Sequence, residues 1–590
     1  MRAFAALVLA VLLPPFVVAA TGGADLDLPS GLRVSWYEPL PVAIALLGAI
    51  VAAGLEPADA RWRRALRIAA LAAFATVGAV AWTGGIHGPH FRVTNALRPA
   101  LLGVGALGLA ALGTRARLRR RAWREVALGL GAGGLVTAGA LAADARDLAL
   151  RIAAPRAASA PGTDVIFVLV DTLRADFLGC YGAAPSPSPA IDALAARSVF
   201  FERAFAQASW TFPSVAALMT SRHPSRLGLL EPPDPTRGNG LPVVPDGPPR
   251  LAELLRARGF HTAAFYKNPF LEPGSGFERG FEVYEHVGGD GADGHSGGQL
   301  VSEALRWARA LADARARGDQ APFFLYLHFM EPHIDYQPPA EFVPEEARAY
   351  RGPQDGSARK LHRARRGSGF TPADVAYLRA MYRGDVAYLD TQIARLREEL
   401  TRLGLWRDDT LFVFTADHGE QFGEHGDWEH GDMHVENVHV PLFLHGPRLA
   451  ARRVPDVVRL VDVTPTLLAL EGLPPLADAE GRSLSPLLRG DALPTLPAVS
   501  ELGWRWRVTD DPFSLVIEGD QHELYDLRAD PGEKQDLAAS DPATVARLRA
   551  FLDAHEAAGR SAAGGSGAAV GRPLDDRMRE QLKALGYLGE

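Results

Sequence analysis

The chain of 590 residues has a single cysteine, Cys180, and only four lysines. One cysteine excludes a disulfide framework and a cysteine-based zinc site. A basic excess is also absent, because 62 Lys and Arg stand against 69 Asp and Glu and the formal net charge is −7. This balance argues against a nucleic-acid-binding protein, which needs a basic surface. A hydrophobic content of 47% excludes a disordered chain.

Long apolar runs are concentrated in residues 1–150. They cover residues 3–20, 39–55, 68–84, 99–113 and 126–143. A membrane-spanning helix needs roughly 20 apolar residues, and these runs are apolar on all sides, unlike the amphipathic helices of soluble domains. The pattern predicts an N-terminal bundle of about five transmembrane helices, although residues 3–20 also fit a cleaved signal peptide.

Arginine clusters in the loops predict the orientation of these helices. Residues 61–67 and 115–124 carry several arginines each, whereas the other loops carry few. The positive-inside rule places the arginine-rich loops in the cytoplasm, so everything after residue 143 lies outside. We therefore expect a multi-pass protein of the cell membrane, with its large domain on the periplasmic or extracellular side.

Three apolar runs of strand length follow the Ala/Pro-rich linker at 151–162. They cover residues 164–171, 322–330 and 410–418, and they are typical of strands buried on both faces of a parallel sheet. Helical patterns lie between them, for example over residues 373–403. The alternation predicts an α/β fold, with a mostly parallel central sheet flanked by helices.

Acidic residues end two of these predicted strands. Asp171 closes the first, and Asp417 closes the last and is followed by His418. Because the carboxyl ends of parallel strands meet at one edge of a sheet, two carboxylates and an imidazole would converge there, a donor set that suits a divalent cation. Metal or anion binding would also explain a high density of histidines between residues 418 and 445. Six of the 17 histidines of the chain fall there: His418, His425, His430, His434, His439 and His445.

Thr211 lies where a turn is predicted to enter a helix. A helix start offers free N–H groups and a positive dipole end, which together attract anions. A threonine at this position serves equally well as an N-cap. Beside a divalent cation, however, its hydroxyl can ionise and act as a nucleophile.

Motifs in a consistent order give the chain a resemblance to the sulfatase family of the alkaline phosphatase superfamily. They occupy residues 164–182, 188–195, 208–214, 221–226, 328–333, 415–426, 429–431, 439–442, 462–468 and 523–533. The resemblance implies a sulfatase-like catalytic domain at 163–480 and a small C-terminal subdomain at 481–557. Residues 558–590 are then a flexible segment and tail.

The resemblance also implies roles for individual residues. Asp171, Asp417 and His418 match metal ligands. Thr211 matches the nucleophile, whose oxygen would also bind the metal. Two further positions, His333 and His430, match groups that hold the transferred anion or assist the leaving group. All of them would be catalytic or metal-binding residues.

Three departures from the family pattern are visible. Typical sulfatases carry Cys or Ser at the nucleophile position and oxidise it to formylglycine, which Thr211 cannot form. The arginine of the family motif Cys-x-Pro-x-Arg is Val215 here, and Thr172 stands where many sulfatases have a second aspartate. A threonine nucleophile resembles the lipid A phosphoethanolamine transferases and lipoteichoic acid synthases, in which Glu fills the position of Asp171.

The sequence leaves three functions open. The first is a membrane-anchored, metal-dependent hydrolase of sulfate or phosphate esters. The second is a transferase that moves a phosphoethanolamine- or phosphoglycerol-type group onto envelope lipids or glycans. The third is an inactive membrane protein that only binds its ligand. For the first two we expect one divalent ion, with Zn²⁺ or Mn²⁺ favoured because of the imidazole and Ca²⁺ left open. We also expect no formylglycine and no nucleic-acid partner.

Overall fold

The computed structural model describes residues 26–27, 33–34, 162–230, 241–287, 296–367, 369–447, 449–563, 571–572, 578–579 and 582. The chain divides into two units, 1–150 and 151–590. Within the first unit the structure describes one short antiparallel pair, β1 Leu26–Asp27 with β2 Arg33–Val34. No helix among the described residues is both long and apolar enough to cross a membrane, and the five predicted spans lie outside those residues.

The strands of the second unit are β3 Val165–Val170, β4 Val199–Phe205, β5 His261–Tyr266, β6 Val283–His286, β7 Phe323–Phe329, β8 Leu411–Ala416, β9 Gln421–Phe422, β10 Trp428–Glu429, β11 His439–His445, β12 Arg452–Arg459, β13 Ala498–Leu502, β14 Arg505–Asp510, β15 Phe513–Glu518 and β16 Gln521–Asp526. Eight of them form the central sheet in the order β12-β4-β11-β8-β3-β7-β5-β6. Neighbouring strands pair in parallel, except that β11 runs antiparallel to both β8 and β4.

The three predicted strands form the middle of this sheet. Every residue of β3, β7 and β8 is buried, as continuous Val, Leu and Phe runs require when helices cover both faces of a sheet. β3 lies between β7 and β8 and is parallel to each. The predicted α/β fold with a mostly parallel sheet is therefore confirmed.

The helices are α1 Pro189–Ala195, α2 Thr211–Thr220, α3 Pro224–Leu227, α4 Leu251–Ala257, α5 Gly297–Ala316, α6 Glu345–Arg348, α7 Ala358–Arg366, α8 Pro372–Arg402, α9 Val435–Val438, α10 Val463–Leu470, α11 Ser485–Arg489 and α12 Pro542–Ala563. The longest, α8, coincides with the predicted helix at 373–403. Its start is fixed by a capping box of Thr371 and Asp374 and by Pro372 in the first turn.

A second, antiparallel sheet of four strands, β13-β14-β15-β16, lies within the predicted C-terminal subdomain. Its apolar core includes Trp506 and Leu515, and α12 adds Leu548 and Leu552 to it. α12 continues to Ala563, past the predicted start of the flexible segment at 558. The Ala-rich sequence there has a high helix propensity.

Candidate active site

Adjacent parallel strands bring the two predicted aspartates together. Asp171 follows the last residue of β3 and Asp417 follows the last residue of β8, and the two strands are paired in register up to those residues. Both carboxyl groups are fully buried. Burial of two carboxylates at one sheet edge is costly unless positive charge or hydrogen bonds compensate it.

One oxygen of Asp417 is held by backbone amides. The N–H groups of Thr172 and His418 donate to Oδ1 over 3.2 and 2.8 Å. Thr172 adopts φ 53°, an uncommon conformation for a β-branched residue, and this conformation orients its N–H toward Asp417. Burial alone would raise the pKa of Asp417, but the imidazoles of His418 and His328 outweigh this effect and lower it.

Thr211 lies beside this acidic pair as the first residue of α2. Its Oγ1 is 3.5 Å from Oδ1 of Asp171 and 3.3 Å from Nε2 of His418. Ser214, one turn later, donates from its hydroxyl to the carbonyl oxygen of Asp417 over 2.6 Å. This bond fixes the start of α2 against the end of β8, so the hydroxyl of Thr211 is buried between the predicted metal ligands.

His418 directs one ring nitrogen into the site. Its Nδ1 lies 2.9 Å from the carbonyl oxygen of Gly419, so Nδ1 donates to that oxygen and Nε2 faces the acidic pair. Nε2 is 3.7 Å from Oδ1 of Asp171 and 3.7 Å from Oδ2 of Asp417. The structure thus brings together Asp171, Thr211, Asp417 and His418, the four residues expected to bind the metal.

Two further polar residues reach this cluster and were not singled out from the sequence. Asn268, two residues after β5, donates from Nδ2 to Oδ2 of Asp171 over 2.6 Å and lies 3.4 Å from Oγ1 of Thr211. His328 lies in β7, with Nε2 3.8 Å from Oδ2 of Asp417. Both side chains are fully buried.

The geometry of these residues fits a cation. Ligand atoms of Asp171, His328 and Asp417 all lie within 4.8 Å of one another. Among the described residues, Oδ2 of Asp417 and both ring nitrogens of His328 are buried without a hydrogen-bond partner. Buried polar atoms of this kind call for a partner, and a mixed carboxylate and imidazole set suits Zn²⁺ or Mn²⁺.

His430 and His333 form the next layer of the site. The ring of His430 lies 4.6 Å from that of His418 and 5.4 Å from that of His333, measured between centroids. Burial and the neighbouring imidazoles hold the pKa of His430 well below its usual value. Burial raises the pKa of Glu420 to about 8. Oε1 of Glu420 lies 3.1 Å from Nδ1 of His430.

The other four histidines of the predicted cluster face different partners. His439 and His445 contact the carbonyl oxygens of Glu202 and Arg197. His425 and His434 stack on each other with centroids 3.7 Å apart. His425 also pairs with Glu436 over 3.1 Å, and the carboxylate partners of His434 are described below. The density of histidines in this region therefore reflects several separate sets of contacts.

The Thr211 hydroxyl is buried at a helix start, among two carboxylates and two imidazoles at the C-terminal edge of a parallel sheet. This arrangement is typical of hydrolases that act on charged esters. The sulfatase family model matches residues 163–473, more than half of the chain. The chain belongs to the sulfatase family, within the alkaline phosphatase superfamily, and is a sulfatase-like hydrolase.

Curated relatives and solved structures agree with this assignment. Mouse iduronate 2-sulfatase is 28% identical over 409 residues, covering 55% of this chain and 72% of the relative. Choline-sulfatase of Rhizobium meliloti is 25% identical over 454 residues, covering 66% and 85%.

Two solved structures share the fold. A 2-O GAG sulfatase has a TM-score of 0.55 at 21% identity and covers 68% of this chain and 93% of its own. A phosphonate monoester hydrolase of Agrobacterium radiobacter has a TM-score of 0.53 at 23% identity and covers 68% and 95%. At these identities the likeness shows the fold alone.

Proposed function

We propose that the chain is a membrane-anchored, metal-dependent hydrolase of sulfate or phosphate esters that uses Thr211 as its nucleophile. The position of the Thr211 hydroxyl carries this proposal. It lies at a helix start, within 3.5 Å of both Asp171 and His418, where an attacking oxygen and a bound anion would meet. The membrane anchor rests on the apolar runs of residues 1–150, and the outward orientation on their arginine-rich loops.

The reaction would proceed in two steps. Oγ1 of Thr211 attacks sulfur or phosphorus, a bond from Oγ1 forms, and the bond to the ester oxygen breaks. Oγ1 of Thr211 lies 3.5 Å from Oδ1 of Asp171 and 3.3 Å from Nε2 of His418, and its proton would be released to solvent as the oxygen binds the cation that these groups hold. Water then cleaves the covalent intermediate and restores the hydroxyl.

Each of the surrounding groups has a part in this scheme. A cation held by Asp171, Asp417, His418 and the Thr211 oxygen, with His328 beside them, would lower the pKa of the hydroxyl and offset charge on the transferred oxygens. The N–H groups of Thr211 and Phe212 at the start of α2 would donate to the same oxygens. His430 would donate from Nε2 to a transferred or leaving oxygen if Glu420 protonates Nδ1, and the ring of His333 lies 5.4 Å from that of His430.

The substrate class follows from the relatives. Their names include an iduronate 2-sulfatase and a choline-sulfatase. Sulfate and phosphate esters both present a tetrahedral anion to the nucleophile. This supports sulfate or phosphate esters, with a glycan or a lipid as the alcohol part.

One observation favours a transferase as the second candidate. Thr211 is buried and keeps its hydroxyl, and Val215, where the family has arginine, is also buried. These features resemble the threonine-dependent phosphoryl-group transferases more than the formylglycine sulfatases. The acceptor separates the two functions, because a hydrolase uses water and a transferase uses a sugar or lipid hydroxyl.

Turnover of small esters tests the proposal. The full chain, loaded with Zn²⁺ or Mn²⁺, is assayed on nitrophenyl sulfate, nitrophenyl phosphate and a nitrophenyl phosphodiester. We expect turnover of at least one ester, and a loss of about 10³-fold or more in kcat for Thr211→Ala. Thr220→Ala is the matched control, since Thr220 is a buried threonine at the other end of α2, and it should keep its kcat.

The outcomes separate the candidates. Turnover of the sulfate identifies a sulfatase that works without formylglycine, and turnover of phosphorus esters alone identifies phosphoryl chemistry. Equal kcat values for Thr211→Ala and the parent would refute Thr211 as nucleophile. If no ester is hydrolysed, a phospholipid donor with a sugar acceptor tests the transferase. Elemental analysis checks the metal, and stoichiometric Ca²⁺ would overturn the expectation of Zn²⁺ or Mn²⁺.

A further inference from the structure

His328 is a buried histidine for which packing alone gives no reason. Every other residue of its strand, β7, is Phe, Leu or Tyr. The His328 side chain is fully buried, and neither ring nitrogen has a hydrogen-bond partner among the described residues. Because a buried polar ring without a partner is costly, this imidazole calls for a partner from outside the chain.

The strand register places His328 beside the two acidic residues of the site. His328 pairs with Leu169 of β3, and Leu169 pairs with Thr415 of β8. Asp171 and Asp417 follow two residues after Leu169 and Thr415. Side chains two residues apart on a strand share a face of the sheet, so the imidazole and both carboxylates are directed to the same face.

The gap between His328 and Asp417 has the size of a metal ion. Nε2 of His328 is 3.8 Å from Oδ2 of Asp417, too far for a hydrogen bond. An ion about 2.1 Å from both atoms would bind them at an angle of about 130°, a moderate opening of tetrahedral geometry. A water about 2.8 Å from both would be pinched to about 85°. The separation therefore suits an ion better than a bridging water.

The donors around this gap form a compact set. Ligand atoms of Asp171, His328 and Asp417 all lie within 4.8 Å of one another. Nε2 of His418 is 3.7 Å from Oδ2 of Asp417, nearly the distance measured for His328. Two imidazoles thus approach the same carboxylate oxygen, which has no hydrogen-bond partner among the described residues.

Thr172 explains why the site would need a nitrogen donor. It stands where many sulfatases have a second aspartate, and it supplies no carboxylate. Asp171 and Asp417 alone balance the charge of one divalent ion, and His328 can add a ligand without adding negative charge. Exchange of a carboxylate for an imidazole favours Zn²⁺ or Mn²⁺ over Ca²⁺, which prefers oxygen ligands.

We infer that His328 binds the metal ion directly, in place of the aspartate that Thr172 replaces, and that this exchange makes the site selective for Zn²⁺ or Mn²⁺ over Ca²⁺. The inference rests on the proposed function, which requires the ion. It adds a ligand to the set that the family resemblance implies, in which His328 has no part.

A charged pair between His328 and Asp417 is the rival explanation. A protonated imidazole has two N–H donors, and neither nitrogen of His328 has an acceptor among the described residues. Such a pair would leave two donors unsatisfied in a fully buried position. A neutral ring bound to an ion through one nitrogen leaves only one, which costs less.

Metal binding by His328→Leu tests the inference. The metal-free full chain, in non-ionic detergent, is titrated with Co²⁺, whose visible absorption depends on its ligands, and then with Zn²⁺ in competition. We expect a changed Co²⁺ spectrum and a rise of more than about 100-fold in the Kd for Zn²⁺, because loss of an outer-shell partner alone typically costs 10- to 100-fold.

His261→Leu is the matched control. His261 is equally buried and pairs with Phe323 at the start of β7, so it lies at the opposite edge of the sheet. Its Nε2 is 3.0 Å from Oδ2 of Asp319. The control should lower the melting temperature of the metal-free chain and keep the Kd for Zn²⁺. His328→Leu should not lower that melting temperature, since it removes a polar ring without a partner.

A ligand exchange provides a gain of binding as the second arm. Thr172 adopts φ 53°, a conformation that aspartate tolerates better than a β-branched residue does. We expect the double variant His328→Leu, Thr172→Asp to bind Ca²⁺ at least tenfold more tightly than the parent chain. This arm does not depend on a loss that misfolding could imitate.

The results separate the explanations. An unchanged Co²⁺ spectrum in His328→Leu, or a smaller rise in the Kd for Zn²⁺, would place His328 outside the ligand set and overturn the inference. A lower melting temperature of metal-free His328→Leu would favour the charged pair instead. A double variant with the Ca²⁺ affinity of the parent would overturn the selectivity. Failure of the proposed function would appear separately, as no ester turnover by a chain that binds Zn²⁺ through His328.

Discussion

Asn268 shows how much of the site depends on single side chains without a sequence motif. Its Nδ2 donates to Oδ2 of Asp171 over 2.6 Å and lies 3.4 Å from Oγ1 of Thr211. Its own Oδ1 accepts from the N–H of Phe270 over 2.9 Å, which fixes the amide in one orientation. Asn268 therefore positions both the carboxylate and the nucleophile.

Substitution of Asn268 should weaken catalysis, and aspartate at this position should weaken it more than alanine does. We expect Asn268→Ala to lower kcat by about 10- to 100-fold, because Asp171 loses a charge-assisted hydrogen bond and the Thr211 hydroxyl loses a neighbour. Asn268→Asp should be worse, since it places a third carboxylate against Asp171. Measured kcat and metal content check this, and an aspartate variant as active as the parent would contradict it.

The sequence predicts those site residues that follow a recognisable element. Asp171 and Asp417 end apolar strands, and Thr211 starts a helix, so their convergence at one sheet edge follows from fold rules. His328 lies inside an apolar strand, and Asn268 follows a short strand in an irregular segment. His328 could have been recognised as a site residue because it is a polar residue near the end of a buried strand. The approach of Asn268 to Asp171, in contrast, depends on tertiary packing.

At the scale of secondary-structure elements, His434 joins the loop before α9 to strand β16, because each of its ring nitrogens contacts a carboxylate. His434, just before α9, contacts Oδ2 of Asp432 through Nδ1 and Oε2 of Glu523 on β16 through Nε2, each at 3.0 Å. Burial alone would lower the pKa of His434, but Asp432, Glu533 and Glu523 outweigh it and raise the pKa to about 9. The imidazolium thus links the segment after His430 to the C-terminal subdomain.

This link should depend on pH. Because the pKa is raised on folding, the stabilisation is complete below about pH 6.5 and is lost as the pH rises through about 9. We expect His434→Gln to cost about 2–3 kcal/mol at pH 7 and close to nothing at pH 10. Thermal unfolding of variant and parent at both pH values measures this difference.

His445→Gln is the matched control, because Nδ1 of His445 contacts a carbonyl oxygen, that of Arg197 at 2.9 Å. Its effect on the melting temperature should be much the same at pH 7 and pH 10. A difference in melting temperature between His434→Gln and the parent that persists at pH 10 would show that the His434 ring stabilises the fold by packing on His425 instead.

Some elements could not have been predicted. β11 is a central strand although it contains Pro441, a residue that normally argues against such a position. Its register shifts between Val440 and Leu442, and the carbonyl oxygen of Pro441 accepts from the hydroxyl of Thr415 over 2.8 Å. This local irregularity accommodates the proline, and it depends on pairing with β4 and β8, which are distant in sequence. The long helix α8, in contrast, follows from its own periodicity and caps.

At the scale of the whole catalytic unit, the C-terminal subdomain supports the active site. Arg505 and Arg507 on β14 donate to the carbonyl oxygens of Gly431 and Met433 over 2.6 and 3.0 Å. Arg507 also pairs with Glu533 over 2.6 Å. These carbonyls belong to the segment that follows His430, so the position of that imidazole depends on the subdomain remaining folded.

A cavity in the subdomain should therefore reduce activity from a distance. Leu548 of α12 is fully buried against Trp506 and Leu515, and Leu548→Ala should cost about 2–5 kcal/mol. We expect kcat to fall in this variant at temperatures below global unfolding, because β14 loosens and releases the segment after His430. Leu311→Ala removes an equally buried leucine from α5. It should lower the melting temperature without lowering kcat at temperatures below global unfolding. If both variants lost activity only on global unfolding, the four-stranded sheet would add stability but would not position His430.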